Sequence, residues 1–288
     1  MNFTVIEPLR ADLHLHSTAS DGRLTPEELM AAAAAQNLQV MALTDHETMH
    51  GLPGVRAAAK AAGITFIPGV EINTEGEDEV HILLYFVRED MPGLVKLLEG
   101  INRERERRGH LFVERFGQLG IKLTIEDFRI PEGTYCNRVL VATALARLGH
   151  VSSIKEAFDR YLAVGKSGYV GRSRQPAEQV IQMAVNDGAV PVLAHPDTIK
   201  SPSKKSRQFI ETLKEAGLMG IEAYHSKHST AACRAWEQTA RELGLLVTGG
   251  SDYHAIKDTK VWIGNQLGRW TGVSGDVRAL FRAADGAC

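Results

Sequence analysis

Histidines and carboxylates recur along this chain in short groups, placed where short apolar runs end. The groups are residues 12–16, Asp21, Asp45-His46, Glu71, His81, His195 and Asp252-x-His254. Imidazole and carboxylate ligands without thiolate suit divalent ions such as Mn²⁺, Fe²⁺ or Zn²⁺. Brought together, these groups would hold more than one ion, and clustered ions activate water for hydrolysis near neutral pH. The pattern therefore predicts a metal-dependent hydrolase.

The spacing within two of the groups favours ligand pairs. Residues i and i+2 of a β-strand point to the same side, so His14 and His16 form one platform for a metal. Asp252 and His254 repeat this spacing near the other end of the chain. Glu71 lies at the end of its own predicted strand, where its two oxygens can bridge two ions.

Six histidines share a position at the ends of apolar runs: His14, His16, His46, His81, His195 and His254. A single histidine is more often a packing or surface residue than a ligand, and we expect this of His50, His110 and His150. The joint pattern of six is what indicates metal binding. Asp21 lies in a loop, where its Asp-Gly pair also suits an ordinary turn.

The elements that must position these groups alternate between strand and helix. Thr25, Pro26 and Glu28 predict a helix start with a capping box. Strands that alternate with helices imply parallel pairing, and in an α/β barrel the carboxyl ends of the strands meet at one mouth. We therefore expect ligands from the first and last strands to meet there.

The alternation is interrupted after Pro92. Residues 98–170 read as helices without a convincing strand, and the alternation then resumes. We predict a barrel formed by residues 8–97 and 171–275, with residues 98–170 inserted as a helical cap domain.

Composition excludes several other classes of protein. The chain has 288 residues, 44% of them hydrophobic, and a net charge of −2, so a broad basic face for long nucleic acid is not indicated. The three cysteines form no CxxC pair, which fits a reducing compartment. No signal peptide and no membrane-spanning run is visible. We expect a soluble cytoplasmic protein that has no membrane association and no obligate protein partner.

Six ordered motifs carry a family resemblance: His14-x-His16-Ser17-x-x-Ser20-Asp21-Gly22, Leu43-Thr44-Asp45-His46, Pro68-Gly69-Val70-Glu71, His81-Ile82-Leu83, Ala194-His195-Pro196 and Gly250-Ser251-Asp252-Tyr253-His254. With these motifs the chain resembles the polymerase and histidinol phosphatase (PHP) family of phosphoesterases. The resemblance implies an α/β fold, a distorted (βα)₇ TIM-like barrel with a helical insertion. It also implies two or three divalent ions; we expect Mn²⁺ first, with Fe²⁺ or Zn²⁺ as alternatives.

The resemblance further implies which residues hold each ion. One ion would take His14, His16, Glu71 and Asp252, a second would take Glu71, His81 and His195, and a third would take Asp21, His46 and His254. We expect catalysis to involve Asp252, His254 and His225.

Substrate contacts are expected from cations outside these motifs. Arg138, which opens a predicted helix, is similar to a phosphate contact of the family. Lys166 and Arg172 lie in a glycine-rich segment, where backbone and charge can approach an anion closely. Arg174 lies in the same segment, where an ordinary surface position explains it as well as a phosphate contact does. His225 ends a predicted strand, from which it could touch the substrate or the leaving group.

An aspartate at position 21, where some members have histidine, resembles the branch of stand-alone phosphatases that carry a helical insertion. This resemblance implies removal of the 3′-phosphate from a 3′,5′-nucleoside bisphosphate, a small nucleotide, to give the nucleoside 5′-monophosphate. A 5′-to-3′ exoribonuclease that trims short RNA or DNA ends is the alternative with the same chemistry, since a short basic channel would suffice. An amidohydrolase and a non-catalytic metal-binding module are further alternatives.

Overall fold

Seven strands pair in the order in which they occur in the chain. They are β1 (Ala11–Asp12), β2 (Val40–Leu43), β3 (Thr65–Asn73), β4 (His81–Tyr85), β5 (Val190–Leu193), β6 (Gly220–His225) and β7 (Leu246–Gly250). The structure is a computed structural model that describes residues 9–75, 80–130, 136–171, 174–256, 261, 263–264 and 273–286.

The sheet closes on itself beyond its first and last strands. The amide of Leu13 donates to the carbonyl of Gly249 at 3.2 Å, and the amide of His16 donates to the carbonyl of Tyr253 at 3.1 Å. Because a closed sheet brings strand ends into a ring, ligands from both ends of the chain meet at one mouth. The α/β barrel expected from the sequence is thus confirmed.

Strand β4 runs antiparallel to β3 and β5, whereas the other neighbouring strands pair in parallel. Only residues 74–80 separate β3 from β4, and a parallel crossover needs about a dozen residues or more. The expectation of parallel pairing is therefore wrong at β4. The expectation that His81 ends an apolar run is also wrong, because His81 begins β4. The reversal pairs His81 with Asn73 at the end of β3.

The helices are α1 (Pro26–Ala35), α2 (Leu52–Ala62), α3 (Pro92–Gln118), α4 (Arg138–Arg147), α5 (Ile154–Ala157), α6 (Ala177–Asn186), α7 (Arg207–Glu215), α8 (Thr230–Glu242) and α9 (Val273–Ala284). The predicted capping box of α1 is present. The Glu28 amide donates to Oγ1 of Thr25 at 3.2 Å, and the Thr25 amide donates to Oε2 of Glu28 at 2.9 Å. Among the described residues, no helix has the length and apolar character needed to cross a membrane.

The chain divides into two compact units, Met1–Val95 with Arg174–Cys288, and Lys96–Ser173. In the first unit, strands β2, β5 and β6 are buried along their whole length. Near-continuous apolar runs of this kind are typical of barrel strands that are covered on both faces. The second unit has an apolar core of its own, which includes Phe112, Phe116, Phe128, Val141, Leu145 and Leu162.

Candidate metal centre

Glu71, on β3, lies at the centre of a cluster of imidazoles, and its side chain is only 1% exposed. Its Oε2 lies 3.2 Å from Nε2 of His14, Nε2 of His16 and Nδ1 of His46. Its Oε1 lies 2.8 Å from Nδ1 of His81 and 3.0 Å from Nε2 of His195. The two oxygens therefore face two different groups of nitrogen ligands, as a bridging carboxylate requires.

Burial and charge compete at the centre of this cluster. Burial would raise the pKa of Glu71, but the surrounding imidazoles hold it well below its ordinary value. Burial would lower the pKa of His16, but Asp252 and Glu71 outweigh it and raise the pKa to about 9. A metal binds a neutral imidazole, so an ion at this position must displace a proton from His16.

Asp252, which follows the last strand, lies beside His14 and His16, which follow the first strand, as the spacing argument predicts. Oδ1 of Asp252 lies 3.4 Å from Nε2 of His16 and 3.7 Å from Nε2 of His14. Gly250 permits this approach, because a Cβ there would lie 2.3 Å from the Cβ of His14. Any side chain at position 250 would force β7 away from the first ligands.

Asp21 joins a further group at the edge of the cluster. Its Oδ1 lies 3.1 Å from Nε2 of His254 and 3.7 Å from Nδ1 of His16. Its Oδ2 lies 3.8 Å from Nε2 of His46. Although its side chain is 56% exposed, its carboxylate faces imidazoles, as expected of a ligand rather than of a simple turn residue.

The loop that carries Asp21 is held by Asp45, which is buried. Oδ1 of Asp45 accepts hydrogen bonds from the amide of Ser17 at 2.7 Å and from Oγ of Ser20 at 2.6 Å. Its Oδ2 accepts a further bond from Oγ of Ser17 at 2.7 Å. Asp45 therefore orders the loop between the first ligands and Asp21, a role that the sequence argument did not assign.

Two of the predicted ligands have positive φ angles, which residues with a side chain rarely adopt. His195 lies two residues after β5 and has φ 27°, and Asp252 lies two residues after β7 and has φ 55°. Non-glycine residues with positive φ are uncommon, and they persist only where surrounding contacts fix them, often at functional sites. The strained positions follow strand ends and turn both side chains toward the cluster.

The donor atoms of the cluster fit divalent ions. Within the described part of the chain, Nε2 of His16, Nδ1 of His46 and Nε2 of His81 are buried and make no hydrogen bond of good geometry. A metal with ligands at about 2.0–2.2 Å places neighbouring donor atoms about 3.0–3.5 Å apart, close to the separations around Glu71. Groups of donor atoms within 4.8 Å of one another include His16-Asp21-His46-His254, His14-Glu71-His195, His14-His16-Asp252 and His46-Glu71-His81.

The structure thus brings every predicted metal ligand into one connected cluster: His14, His16, Asp21, His46, Glu71, His81, His195, Asp252 and His254. The distribution of these ligands over individual ions stays a prediction. So does the number of ions and their identity.

His225, at the end of β6, also reaches the cluster. Its Nδ1 accepts a hydrogen bond from the amide of Lys227 at 3.2 Å, so the ring proton belongs to Nε2. This Nε2 lies 3.4 Å from Oδ2 of Asp252, and among the described residues it makes no hydrogen bond of good geometry. Burial lowers the pKa of His225 to about 4, so its imidazole is neutral near pH 7. It can donate one hydrogen bond into the site.

Sequence reasoning missed two charged neighbours of the ligands. Glu222 is a fully buried carboxylate in the middle of the apolar strand β6, and its Oε1 lies 3.0 Å from Nδ1 of His14. Lys227 is mostly exposed, but its Nζ lies 2.9 Å from Oδ2 of Asp252. An ionisable residue within an apolar strand was the available signal for Glu222. Lys227 lies in a turn, where a lysine is unremarkable in sequence.

The predicted phosphate contacts Arg138 and Lys166 belong to the unit Lys96–Ser173. The guanidinium of Arg138 lies 5.8 Å from the ring centre of Phe158 and 5.7 Å from that of Tyr169. Lys166 is exposed. Arg172 lies outside the described residues. Arg174 belongs to the other unit and is half-buried.

Comparison with known proteins identifies the family. The model of the PHP domain matches residues 12–182, more than half of the chain. The chain belongs to the PHP family. The resemblance seen in the sequence motifs is thereby confirmed, and membership supports a hydrolase of the phosphoesterase type.

Relatives of this PHP protein are named for different activities. A 5′-3′ exoribonuclease from Haemophilus influenzae is 33% identical over 84% of this chain and 89% of its own length. A 3′,5′-nucleoside bisphosphate phosphatase from Chromobacterium violaceum is 32% identical over 85% of this chain and 87% of its own length. A solved structure of an amidohydrolase from the same organism, with bound sulfate and no metal, has a TM-score of 0.71 at 31% identity. That alignment covers 88% of this chain and 90% of the other.

Proposed function

We propose that this PHP protein removes the 3′-phosphate from 3′,5′-nucleoside bisphosphates and depends on two or three divalent ions, with Mn²⁺ expected first. The observation that carries the proposal is the position of Glu71, whose two buried oxygens each face a separate set of imidazoles. The bisphosphate phosphatase relative supports the choice of substrate.

Divalent ions in this centre would activate water for attack on phosphorus and would bind the phosphoryl oxygens. His14, His16 and Asp252 would hold one side of the centre. His81 and His195 would hold the other side, with Glu71 between them. Asp21, His46 and His254 would complete it at the more exposed edge. The chain needs no serine or cysteine nucleophile for this chemistry.

Two groups beside Asp252 are suited to the phosphate that is cleaved. The Nε2–H of His225 is buried, and its contact with Oδ2 of Asp252 is long at 3.4 Å, so it can donate to a phosphoryl or leaving-group oxygen placed beside Asp252. The ammonium of Lys227 adds a positive charge 2.9 Å from Asp252. A phosphate oxygen placed near Asp252 would therefore meet one neutral donor and one cation. His254 and Asp252 would help to orient the reacting group through the ions that they hold.

The phosphate that remains on the product needs a separate anchor, because orientation of a small substrate supplies much of the rate. We assign this anchor to Arg138, Lys166 and Arg172. Arg138 and Lys166 lie in the predicted cap domain of residues 98–170, and Arg172 lies at the start of the second segment of the predicted barrel, residues 8–97 and 171–275.

A second candidate function is 5′-to-3′ trimming of short RNA ends. It is favoured by the exoribonuclease relative, whose identity to this chain is as high as that of the phosphatase. The two functions share the metal centre and differ in what must fit beside it. A nuclease that releases 5′-mononucleotides must accept the rest of the chain on the phosphorus that is attacked, where a bisphosphate carries only oxygen atoms.

A substrate panel distinguishes the two functions. Phosphate release and nucleotide release would be measured with Mn²⁺ for 3′,5′-bisphosphates, 2′,5′-bisphosphates, 3′- and 5′-monophosphates and 5′-phosphorylated oligoribonucleotides. The proposal expects the highest kcat/KM on 3′,5′-bisphosphates, with the 5′-monophosphate as product. A higher kcat/KM on oligoribonucleotides would make the enzyme a nuclease. Glu71→Gln protein, purified in parallel, controls for contaminating phosphatases.

A further inference from the structure

Glu222 is a carboxylate that lies outside the predicted metal ligands, although it forms a group of close donor atoms with His14 and His225. It lies within β6 between Ile221 and Ala223, and it has no solvent exposure. Burying a carboxylate is costly unless it is paired and hydrogen-bonded. A residue of this kind in a barrel strand therefore needs specific partners.

The partners of Glu222 are two predicted metal ligands. Its Oε1 and Oε2 lie 3.0 and 3.2 Å from Nδ1 of His14. Its Oε2 also accepts the backbone amide of His195 at 2.8 Å. Space for these contacts depends on Gly250, where a Cβ would lie 2.9 Å from Oε1 of Glu222.

The contact with His14 determines which ring nitrogen carries the proton. Oε2 of Glu222 accepts the amide of His195, and a carboxylate offers only acceptor oxygens to its neighbours. Nδ1 of His14 must therefore be the donor. Its Nε2 faces Oε2 of Glu71 at 3.2 Å, where a lone pair is needed to bind an ion.

The contact with His195 acts on the main chain. His195 has φ 27°, a conformation that needs outside support. The bond from its amide to Glu222 supplies such support, while its Nε2 lies 3.0 Å from Oε1 of Glu71. One carboxylate thus contacts a ligand on each side of Glu71.

We propose that Glu222 is a positioning residue of the metal centre, which holds His14 in the tautomer with a free Nε2 and fixes the backbone of His195. The proposal rests on the metal-dependent function proposed above. It concerns ion binding rather than the choice of substrate. Carboxylates that orient metal-binding histidines commonly contribute about 10- to 100-fold in metal affinity.

The variant Glu222→Gln separates positioning from simple packing. Glutamine has the shape of glutamate but only one acceptor oxygen. If that oxygen accepts the His195 amide, the amide NH₂ faces Nδ1 of His14 and favours the tautomer with the proton on Nε2. If the amide reverses, the NH₂ faces the N–H of His195. Either arrangement disturbs one ligand, so we expect the affinity for Zn²⁺ and Mn²⁺ to fall about 10- to 100-fold.

The affinity would be measured by calorimetric titration of the full chain with each metal alone. Asp276→Asn is the control, because Asp276 is also a buried carboxylate, but its partner is Arg241, at 2.6 and 2.8 Å. We expect the control to keep its metal affinity within about threefold, the ordinary scatter of such effects. An equal loss in both variants would overturn the positioning role, as would unchanged affinity in Glu222→Gln.

A spectroscopic measurement on the unmodified protein keeps the proposal testable if the variant does not fold. In the Zn²⁺-loaded protein, proton–nitrogen correlation spectra of the imidazoles should show a slowly exchanging proton on Nδ1 of His14. A proton on Nε2 of His14 would overturn the proposal. Failure of the unmodified protein to bind Zn²⁺ or Mn²⁺ would instead overturn the metal centre and the proposed function.

Discussion

Replacing Glu71 with glutamine tests the centre most directly. The substitution keeps the shape of the side chain and removes one negative charge that lies 2.8–3.2 Å from ring nitrogens of five histidines. Two unit charges about 4 Å apart attract by about 4 kcal/mol at an effective dielectric constant of about 20. About 1.4 kcal/mol corresponds to a tenfold change in affinity, so even a unit charge would bind about a thousandfold more weakly, and each divalent ion beside Glu71 should lose at least that much.

The assay is metal content after dialysis, measured by mass spectrometry, together with hydrolysis of an aryl phosphate. We expect Glu71→Gln to lose bound metal, and its turnover should fall by orders of magnitude. Asp276→Asn is the control: Asp276 is a buried carboxylate that binds Arg241 at 2.6 and 2.8 Å, within α9 and apart from the ligands. Unchanged metal stoichiometry and full turnover in Glu71→Gln would refute the bridging role.

Three further predictions concern pH and charge. The pKa of about 9 for His16 in the metal-free protein means that binding releases a proton, so metal affinity should rise as pH increases from 7 to 9; affinity independent of pH would contradict this. Arg138→Ala should raise KM for a bisphosphate far more than for an aryl phosphate, which has no second phosphate to lose; equal losses would place Arg138 at the reacting phosphate. Lys227→Met should raise KM for phosphoesters several-fold with little change in kcat, because Lys227 lies beside Asp252 without belonging to the ligand set; an unchanged KM would reduce it to a surface ion pair.

The clustering of the ligands was predictable because it follows from strand geometry. The i, i+2 spacing of His14 and His16 and the closure of a barrel are enough to bring the first and last strands together. The apolar runs also marked most strand positions. What they did not reveal was the direction of β4, because an apolar run reads the same in both directions. The short connection of residues 74–80 was the physical signal for the reversal.

The supporting residues were harder to predict than the ligands. Glu222 acts across the sheet on His14, a residue 208 positions earlier in the chain, and this pairing depends on the register between strands. The tautomer of His14 depends on that contact. Asp45 was visible within a motif. Its partners, however, are the amide of Ser17 and the hydroxyl of Ser20, which belong to a loop whose path the sequence does not specify.

The closure of the barrel gives the centre a particular order of assembly during synthesis. The amide of Ser251 donates to Asp12 across 239 positions of sequence, and Asp252 and His254 follow at once. During translation, the donors His14 and His16 are therefore synthesised long before Asp252 and His254. A nascent or truncated chain that ends before residue 246 contains His14, His16 and Glu71 but lacks the strand that completes the ring. The full set of donors is thus reserved for chains that have been translated beyond residue 254, and shorter products are left without a complete hydrolytic centre.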